Sequence, residues 1–437
     1  MPLVHVYDRR VRLQDTLTRA LIELPPPPEP IGMYVCGPTV YQRAHIGNAR
    51  PFVVSMWLAR WLRERGHEVK LVHNITDVND RIYEAAPGAS AELARQATGW
   101  YLEDTAGFGL GMPDAQPLAT ETIDEIVSVI EELVSSDHAY ARDGDVYFRV
   151  ESFPSYGTLS GQRPDQVEEQ EPNELKHDPR DFALWKANKE GEDTWWDSPW
   201  GRGRPGWHIE CSAMAEKELG AEFWIHLGGL DLVFPHHENE RAQSQAVGRG
   251  FARVWMHNGM LRFTGEKMSK SLGNVTTIRE VLDTWGREAA LLFFLTAHWR
   301  KPIDFSEETM TAAAAQAETL RNAFRGAESA GDVDRVSLTA VLEDDFNTPG
   351  ALALFHEWRS AGDLASLRWG LELFGLGTLV GSLEPPVSLH DLARARVVAR
   401  ADQDWERADA LRAAIENAGW EVRDVAEPLG YRLVLRR

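Results

Sequence analysis

The sequence has few of the features that mark secreted or membrane-spanning proteins. It contains two cysteines in 437 residues, Cys36 and Cys211, which are too few and too far apart for the disulfide framework of a secreted domain. No apolar run approaches the length of a transmembrane helix, and the N-terminal segment MPLVHVYDRR lacks the apolar core of a signal peptide. We therefore expect a cytoplasmic protein with reduced thiols and no membrane association.

Positive charge is also scarce, since 46 Lys and Arg stand against 67 Asp and Glu and give a net charge of −21. Phosphate contacts need lysine and arginine, so this balance argues against loose, non-specific binding of nucleic acid but is compatible with a confined basic groove. Residues 391–437 are neutral, with nine arginines and nine acidic residues. An anionic partner would meet the least repulsion in that segment.

The chain is rich in alternating strand and helix patterns. Residues 31–37 and 69–76 have the composition of buried strands. Between them, apolar residues recur at helical spacing from 44 to 65, and this helix should end near Gly66. A strand, helix and strand of this length form a crossover unit of a parallel sheet.

The α/β pattern resumes after a long interruption. A helix is predicted from Trp207 to Leu219, and strands are predicted at 222–229 and 254–263. Further patterns predict helices at 91–107, 119–136, 337–360 and 362–375, a helix after Ser306, and a strand at 145–150. We divide the chain into a split α/β domain, an insertion, a helical bundle and a small α+β C-terminal unit, at residues 1–86 with 206–300, 87–205, 301–381 and 388–437.

The motif FPHHENE places two histidines and two carboxylates in one short stretch. On a helix, Glu240 would share a face with His236, four positions before it, and nearly so with His237. Zinc takes four ligands from cysteine, histidine and carboxylate, and Cys36 ends a strand at the edge where active sites form. Two cysteines, one histidine and one glutamate are therefore a candidate zinc set. Cysteines that are simply buried as small apolar groups are the more frequent alternative.

Two further motifs lie at the crossover points of the split domain. AHIGNAR (44–50) follows the first strand, and KMSKSLGN (267–274) follows the last one. Together they resemble the HIGH and KMSKS signatures of class I aminoacyl-tRNA synthetases. The segments MYVCGPTVY, NITDVND, RPGWHIECSAM, FPHHENE and HWRKPIDFS resemble the cysteinyl-tRNA synthetase family, over residues 31–310. The resemblance implies a Rossmann-like catalytic domain.

The resemblance also implies roles for single residues. It implies zinc ligands at Cys36, Cys211, His236 and Glu240. It implies ATP binding by Pro38, Thr39, His45, Gly47, Asn48, Asp231 and Lys270, and a catalytic role for His45, Lys267 and Lys270. It implies a pocket for the substrate cysteine at Thr76, Trp207 and His226. The first signature departs from the family pattern at Asn48, which replaces a histidine but can still donate hydrogen bonds.

The implied chemistry is consistent with these residue types. Activation of a carboxylate by ATP needs positioning and charge stabilisation at the phosphate but no protein nucleophile. The start of the first helix offers backbone N–H groups, His45 adds a donor there, and Gly47 lets the nucleotide approach the backbone. Magnesium is expected to accompany the ATP, with no protein ligand identified for it.

Zinc would explain selectivity for cysteine. A pocket rejects serine or alanine only weakly by size, whereas a soft metal prefers a thiolate to a hydroxyl or a methyl group. We therefore expect one zinc ion per chain that recognises the thiol of the substrate. An editing domain would then not be needed. In this interpretation His237 and Glu238 lie off the face that binds zinc, and His208 has no functional role.

The sequence leads to one main functional hypothesis and two alternatives. The first is a monomeric enzyme that adenylates L-cysteine with ATP and transfers it to the 3′ end of tRNA(Cys). The second is a ligase that joins the same adenylate to an aminosugar-inositol, as in mycothiol synthesis. The third is a catalytically silent zinc-binding paralogue, against which the KMSKS motif argues.

Overall fold

The computed structural model describes residues 10–162, 173–263, 276–325, 331–380, 387–418, 420–425 and 430–435. The chain forms two compact units, one of Met1–Ala323 with Ser329–Leu379 and one of Phe324–Glu328 with Val380–Arg437.

The described residues form both strands and helices, numbered in chain order. The strands are β1 (Arg12–Gln14), β2 (Leu21–Glu23), β3 (Ile31–Val35), β4 (Val69–His73), β5 (Ala139–Arg142), β6 (Asp145–Phe148), β7 (Phe182–Ala187), β8 (Gly203–Pro205), β9 (Glu222–Gly229), β10 (Phe251–Asn258), β11 (Leu261–Phe263), β12 (Ile303–Phe305), β13 (Trp420–Asp424) and β14 (Tyr431–Leu435). The helices are α1 (Ile46–Glu64), α2 (Asp80–Ala85), α3 (Ser90–Ala106), α4 (Ile123–Ser135), α5 (Trp207–Leu219), α6 (Glu238–Ala246), α7 (Ile278–Leu295), α8 (Glu307–Ala323), α9 (Arg335–Leu342), α10 (Thr348–Ala361), α11 (Leu364–Leu373), α12 (Val387–Ala401) and α13 (Trp405–Asn417).

A four-stranded parallel sheet lies at the centre of the first unit. Its strands are ordered β10–β9–β3–β4, so that β3 pairs with β4 on one side and with β9 on the other. Helix α1 connects β3 to β4 and buries Phe52, Trp57 and Trp61. The prediction of an α/β fold around a parallel sheet is confirmed.

An antiparallel sheet of order β5–β6–β7–β8 lies between β4 and β9 in the chain. Its residues Phe148 and Trp185 share one apolar core with Ile126 and Ile130 of α4 and Ile209 of α5. The sequence predicted one strand here, corresponding to β6. Strands β5 and β8 were missed because they have four and three residues, too few for a clear alternation of apolar and polar positions. Strand β7 has six residues but is buried at four successive positions, so it shows no alternation either.

Two predicted elements are each broken into two. The helix predicted at 337–360 is wrong, because α9 ends at Leu342 and α10 begins at Thr348. Asp345 and Phe346 take positive φ values of 58° and 48° between them, and the turn buries Phe346 completely. The strand predicted at 254–263 divides into β10 and β11 at Gly259, where a Cβ would lie 2.3 Å from the backbone of Lys301.

The second unit contains α12, α13 and the antiparallel pair β13–β14. These elements match the α+β content that the sequence predicted for the C-terminal unit. The core of this unit is formed by Leu389, Ala393, Ile415, Trp420, Val422, Tyr431 and Leu433.

Candidate active site

The strand order creates a switch point between β3 and β9. The chain leaves β3 towards β4 on one side, and it leaves β9 towards β10 on the other, so the carboxyl ends of β3 and β9 border the crevice where such sheets bind ligands. Cys36 directly follows β3, and its N–H donates to the carbonyl of Leu227 in β9 at 3.2 Å. A Cβ on Gly37 would lie 1.7 Å from the carbonyl oxygen of Asn74, so the residue after Cys36 must be glycine.

Four predicted metal ligands lie together at this switch point. One ligand atom from each of Cys36, Cys211, His236 and Glu240 falls within 4.8 Å of the other three, and all four residues are buried. Glu240 Oε1 is 3.4 Å from Cys36 Sγ and 3.1 Å from His236 Nε2. Zinc with bonds of about 2.0–2.3 Å needs ligand atoms roughly 3–4 Å apart. The donor set and these two distances fit a tetrahedral zinc ion.

A second quartet shares two of these residues. Cys36 and Glu240 also lie within 4.8 Å of His226 and His237. His226 Nε2 is 2.8 Å from Glu240 Oε2, and His237 Nε2 is 4.0 Å from Glu240 Oε1. The expectation that His237 lies off this face is therefore wrong. His237 is the N-cap of α6 with helical backbone angles, so the ordinary three-residue spacing brings it to the same face as Glu240.

Glu238 does point away from the cluster, as expected. Its carboxylate accepts hydrogen bonds from both the backbone N–H and the hydroxyl of Ser160, each at 2.9 Å. Arg241 pairs with its other oxygen at 3.4 Å. Glu238 thus joins α6 to the insertion.

His208, to which the sequence analysis gave no role, and His257 hold the histidines of the cluster. His208 Nδ1 lies 2.9 Å from His236 Nδ1, which leaves His236 Nε2 turned towards Glu240. His257 Nε2 lies 2.7 Å from His237 Nδ1, and Thr16 holds the other nitrogen of His257 at 2.7 Å. Partners of this kind fix the orientation of a metal-binding imidazole. The position of His208 beside Trp207 and before Cys211 in GWHIEC was the signal that could have found it.

Burial favours the neutral forms of the groups in the cluster. It raises the pKa of the Cys36 thiol well above its usual range, with Cys211 and Glu240 adding to the effect, and it raises the pKa of Cys211. It also lowers the pKa values of His236 and His237 well below the usual range. The histidines are therefore already in the form that binds a metal, whereas both thiols must lose a proton on binding.

Of the three residues predicted to surround the substrate cysteine, Trp207 and His226 contact this cluster. The Trp207 ring stacks on His236, with ring centroids 4.2 Å apart. His226 lies in β9, and its ring stacks on Trp255. Thr76 is buried, and its backbone N–H donates to the carbonyl of Pro38.

The first signature forms the start of α1. His45 is the N-cap residue, and its Nδ1 accepts a hydrogen bond from the Gly47 N–H at 3.1 Å. A Cβ on Gly47 would lie 2.8 Å from the His45 ring. This close approach is a structural reason for glycine at position 47, and the sequence alone did not show it. The N–H of Asn48 donates to the carbonyl of His45.

The other residues predicted to bind ATP lie in two places. Thr39 pairs with Thr76, which keeps Pro38 and Thr39 beside the carboxyl end of β4. Asp231 is exposed in a short turn after β9. Lys267 and Lys270 lie outside the described residues, so their roles stay predictions.

Several arginines of the second unit form ion pairs within it. Arg394 pairs with Asp391 at 2.7 Å, and Arg412 pairs with Glu416 at 2.9 Å. Arg396 is buried and, like Arg400, pairs with Asp424.

Among the helices of the described residues, none is both long enough and apolar enough to cross a bilayer.

The sequence matches known proteins over most of its length. Residues 25–315 match the family model described as tRNA synthetases class I (C) catalytic domain. The Cysteine–tRNA ligase of Paracoccus denitrificans is 43% identical over 440 residues, which cover 94% of this chain and 95% of that protein. The Cysteine–tRNA ligase of Pseudothermotoga lettingae is 40% identical over 461 residues, which cover 97% of this chain and 99% of that protein.

Solved structures share the fold at low sequence identity. A methionyl-tRNA synthetase of Mycobacterium tuberculosis bound by methionyl-adenylate has a TM-score of 0.55 at 13% identity, covering 88% of this chain and 89% of its own. A LeuRS–tRNA–LeuAMS complex from Agrobacterium radiobacter has a TM-score of 0.58 at 11% identity, covering 82% of this chain and 86% of its own. These likenesses show a class I synthetase fold.

Proposed function

This chain belongs to the cysteine–tRNA ligases, a family of class I tRNA synthetases, and we propose that its buried Cys36, Cys211, His236 and Glu240 hold one zinc ion that recognises the substrate thiol. The enzyme activates L-cysteine with ATP to cysteinyl-adenylate and transfers the cysteinyl group to the 3′ end of tRNA(Cys). The observation that carries the zinc proposal is the convergence of four buried donor atoms within 4.8 Å at the switch point of the sheet.

Recognition of cysteine rests on the contrast between a thiol and a hydroxyl. When bound, zinc would supply a soft Lewis acid that takes the substrate thiolate as a further ligand and discriminates against serine. His208 holds the His236 ring, and Trp207 covers its face. Trp207, Thr76 and His226 would then enclose the small side chain and exclude water from it. Because the metal distinguishes the substrates directly, an editing step would be unnecessary.

Activation of the carboxylate depends on the neighbouring start of α1. The N–H groups and positive dipole end of that helix would stabilise the phosphates, with His45 and Asn48 beside them. Pro38 and Thr39 would support the nucleotide, Asp231 would contact its ribose, and Lys267 and Lys270 would stabilise charge as it develops on the phosphates. Magnesium would enter with the ATP.

The remaining parts of the chain would serve the tRNA. We assign the acceptor end to the insertion at 87–205, the inner side of the tRNA to the helical bundle at 301–381, and the anticodon to the unit at 388–437. A monomer is sufficient for this arrangement. The cysteine–tRNA ligase relatives match nearly the whole chain and favour neither the mycothiol-type ligase nor a silent paralogue.

Two assays on the same preparation test the function. We expect cysteine-dependent ATP–pyrophosphate exchange, its loss in Lys270→Ala, and charging of purified tRNA(Cys) with cysteine. Exchange without charging, but with ligation of cysteine to an aminosugar-inositol, would establish the mycothiol-type alternative instead. Absence of exchange in the zinc-loaded native protein would support the silent paralogue.

A further inference from the structure

An acidic pair near the end of α3 binds two arginines from distant parts of the chain. Arg43 Nη1 lies 2.5 Å from Asp104 Oδ1, and its Nη2 lies 3.3 Å from Glu103 Oε2. Arg279 pairs with Glu103 through Nη2, and its Nε lies 3.8 Å from Asp104 Oδ1. Asp104 is completely buried, whereas Glu103 is half exposed. Asp104 is therefore the fixed centre of this four-residue group.

Each arginine belongs to a segment that borders the start of a helix. Arg43 lies two residues before His45, the N-cap of α1. Arg279 is the second residue of α7, whose N-cap is Thr277. The acidic pair therefore connects the starts of two helices that are far apart in sequence, one of which carries the first signature.

The backbones of the two helix starts are also hydrogen-bonded to each other. The N–H of Ile46 donates to the carbonyl of Thr276 at 3.0 Å, and the N–H of Ile278 donates to the carbonyl of Ala44 at 2.9 Å. Residues 44–46 and 276–278 thus run side by side in antiparallel pairing. Since the Arg43 and Arg279 side chains converge on the same carboxylates, a change at Asp104 acts on both segments together.

Asp104 is buried more completely than the carboxylate of a surface ion pair. Surface ion pairs are common and stabilise little, whereas a buried carboxylate is stable only with close partners. Among the described residues, Asp104 Oδ2 accepts no hydrogen bond, so the side chain depends on the arginine contacts made by Oδ1. This dependence makes its position sensitive to where Arg43 and Arg279 lie.

We infer that Asp104 is a positioning residue for ATP in the adenylation reaction. By fixing Arg43 and Arg279, it holds residues 43–46 against the start of α7, and this sets the place of His45 and of the α1 N–H groups. The inference rests on the proposed function, in which those groups stabilise the phosphates. The thiol-binding cluster contains none of these residues, so the effect should fall on ATP and not on cysteine.

Steady-state ATP–pyrophosphate exchange tests this assignment. Asp104→Asn keeps the size of the side chain and removes its charge. We expect the KM for ATP to rise about three- to tenfold, the KM for cysteine to stay within twofold, and zinc content to be unchanged. Arg279→Ala should show the same selective change, and Arg279→Lys should restore part of it. In the double variant Asp104→Asn with Arg279→Ala, the rise should be smaller than the product of the two single effects.

A matched control lies on the same helix. Arg95 forms one exposed ion pair with Glu92, and Arg95→Ala should leave both KM values unchanged. The inference is overturned if the native enzyme shows exchange while Asp104→Asn and Arg279→Ala both leave the KM for ATP unchanged. It is also overturned if the KM values for ATP and cysteine rise together, because that result indicates a general structural role. Should Asp104→Asn fail to fold, the half-exposed Arg279 variants decide the question. Lack of exchange in the native protein would instead contradict the proposed function.

Discussion

At the scale of single residues, the choice between the two quartets decides what the site can do. Both contain Cys36 and Glu240, and they differ in whether Cys211 with His236 or His226 with His237 completes the set. The first offers two sulfur ligands and the second only one. Two thiolates suit zinc well, and Trp207, which is predicted to line the substrate pocket, stacks on His236.

The two quartets can be distinguished by substituting residues that belong to just one of them. We predict that Cys211→Ser reduces bound zinc from about one ion per chain to well under half, because it removes a thiolate ligand. His237→Asn should retain the metal, since His237 is absent from the first quartet. Metal analysis after dialysis of both folded variants provides the comparison. Loss in His237→Asn with retention in Cys211→Ser would assign the metal to the second quartet.

Part of this site could be predicted from the sequence and part could not. The pairing of His236 with Glu240 followed from their separation of four residues. The motif GWHIEC could have drawn attention to His208. Its contact with His236, and that of His257 with His237, could not be predicted, because these partners lie 28 and 20 residues away and meet only through tertiary packing. The approach of His237 to Glu240 could also have been predicted, because the two residues are three apart on a regular helix.

At the scale of elements, the start of α1 combines a cap with a signature. The His45 side chain accepts the Gly47 N–H, and the ring occupies the space where a Cβ of residue 47 would lie. The same residues therefore cap the helix and form the predicted phosphate site. A change that moves the ring should affect both stability and activity.

Gly47→Ala tests this coupling. The added Cβ would lie 2.8 Å from the ring, so the ring must move and the cap is lost. Since alanine gains the same helix propensity at both positions, Gly47→Ala should be less stable than Gly99→Ala by about 1 kcal/mol and should lower the exchange rate. Gly99→Ala is the matched control, because Gly99 lies inside α3 with nothing within 4 Å of its Cβ position. That substitution should stabilise by roughly 0.5–1 kcal/mol. Thermal unfolding and exchange assays measure both effects, and equal behaviour of the two variants would contradict the coupling.

Long elements were predicted better than their ends. The helix predicted at 44–65 and the strand predicted at 222–229 correspond to α1 and β9 because apolar periodicity extends over the whole element. The break between α9 and α10 was missed, since it depends on burial of Phe346 and on a hydrogen bond from Gln14 to Asp345. Contacts over that distance in the chain leave no local pattern.

At the scale of the whole molecule, the chain divides into two units with separate cores, and the second is stabilised partly by internal ion pairs. Asp424 of β13 binds Arg396 and Arg400 of α12. Hydrogen bonding to Arg396 and Arg400, opposed by partial burial, lowers the pKa of Asp424. A lowered folded-state pKa means that the pair stabilises the unit above the ordinary aspartate pKa of about 3.9 and that this stability is lost as pH falls through the folded value.

Hydrogen exchange of the β13–β14 segment provides the test of this pH dependence. We predict that its protection falls as pH is lowered from 6 towards 3, after correction for intrinsic exchange rates. In Asp424→Asn the fall should be smaller, and protection at pH 6 should already be reduced by a fraction of a kcal/mol, because the carboxylate is half exposed. An identical pH profile in the two proteins would exclude this pair as the cause.

The central claim is that a metal held by Cys36, Cys211, His236 and Glu240 binds the thiol of the substrate cysteine. The most direct measurement is the absorbance spectrum of the cobalt(II)-substituted enzyme, titrated with cysteine or with serine in the absence of ATP. We predict that the sulfur-to-cobalt charge-transfer absorbance increases with cysteine and does not change with serine. No increase with cysteine, or an equal change with both amino acids, would contradict the claim.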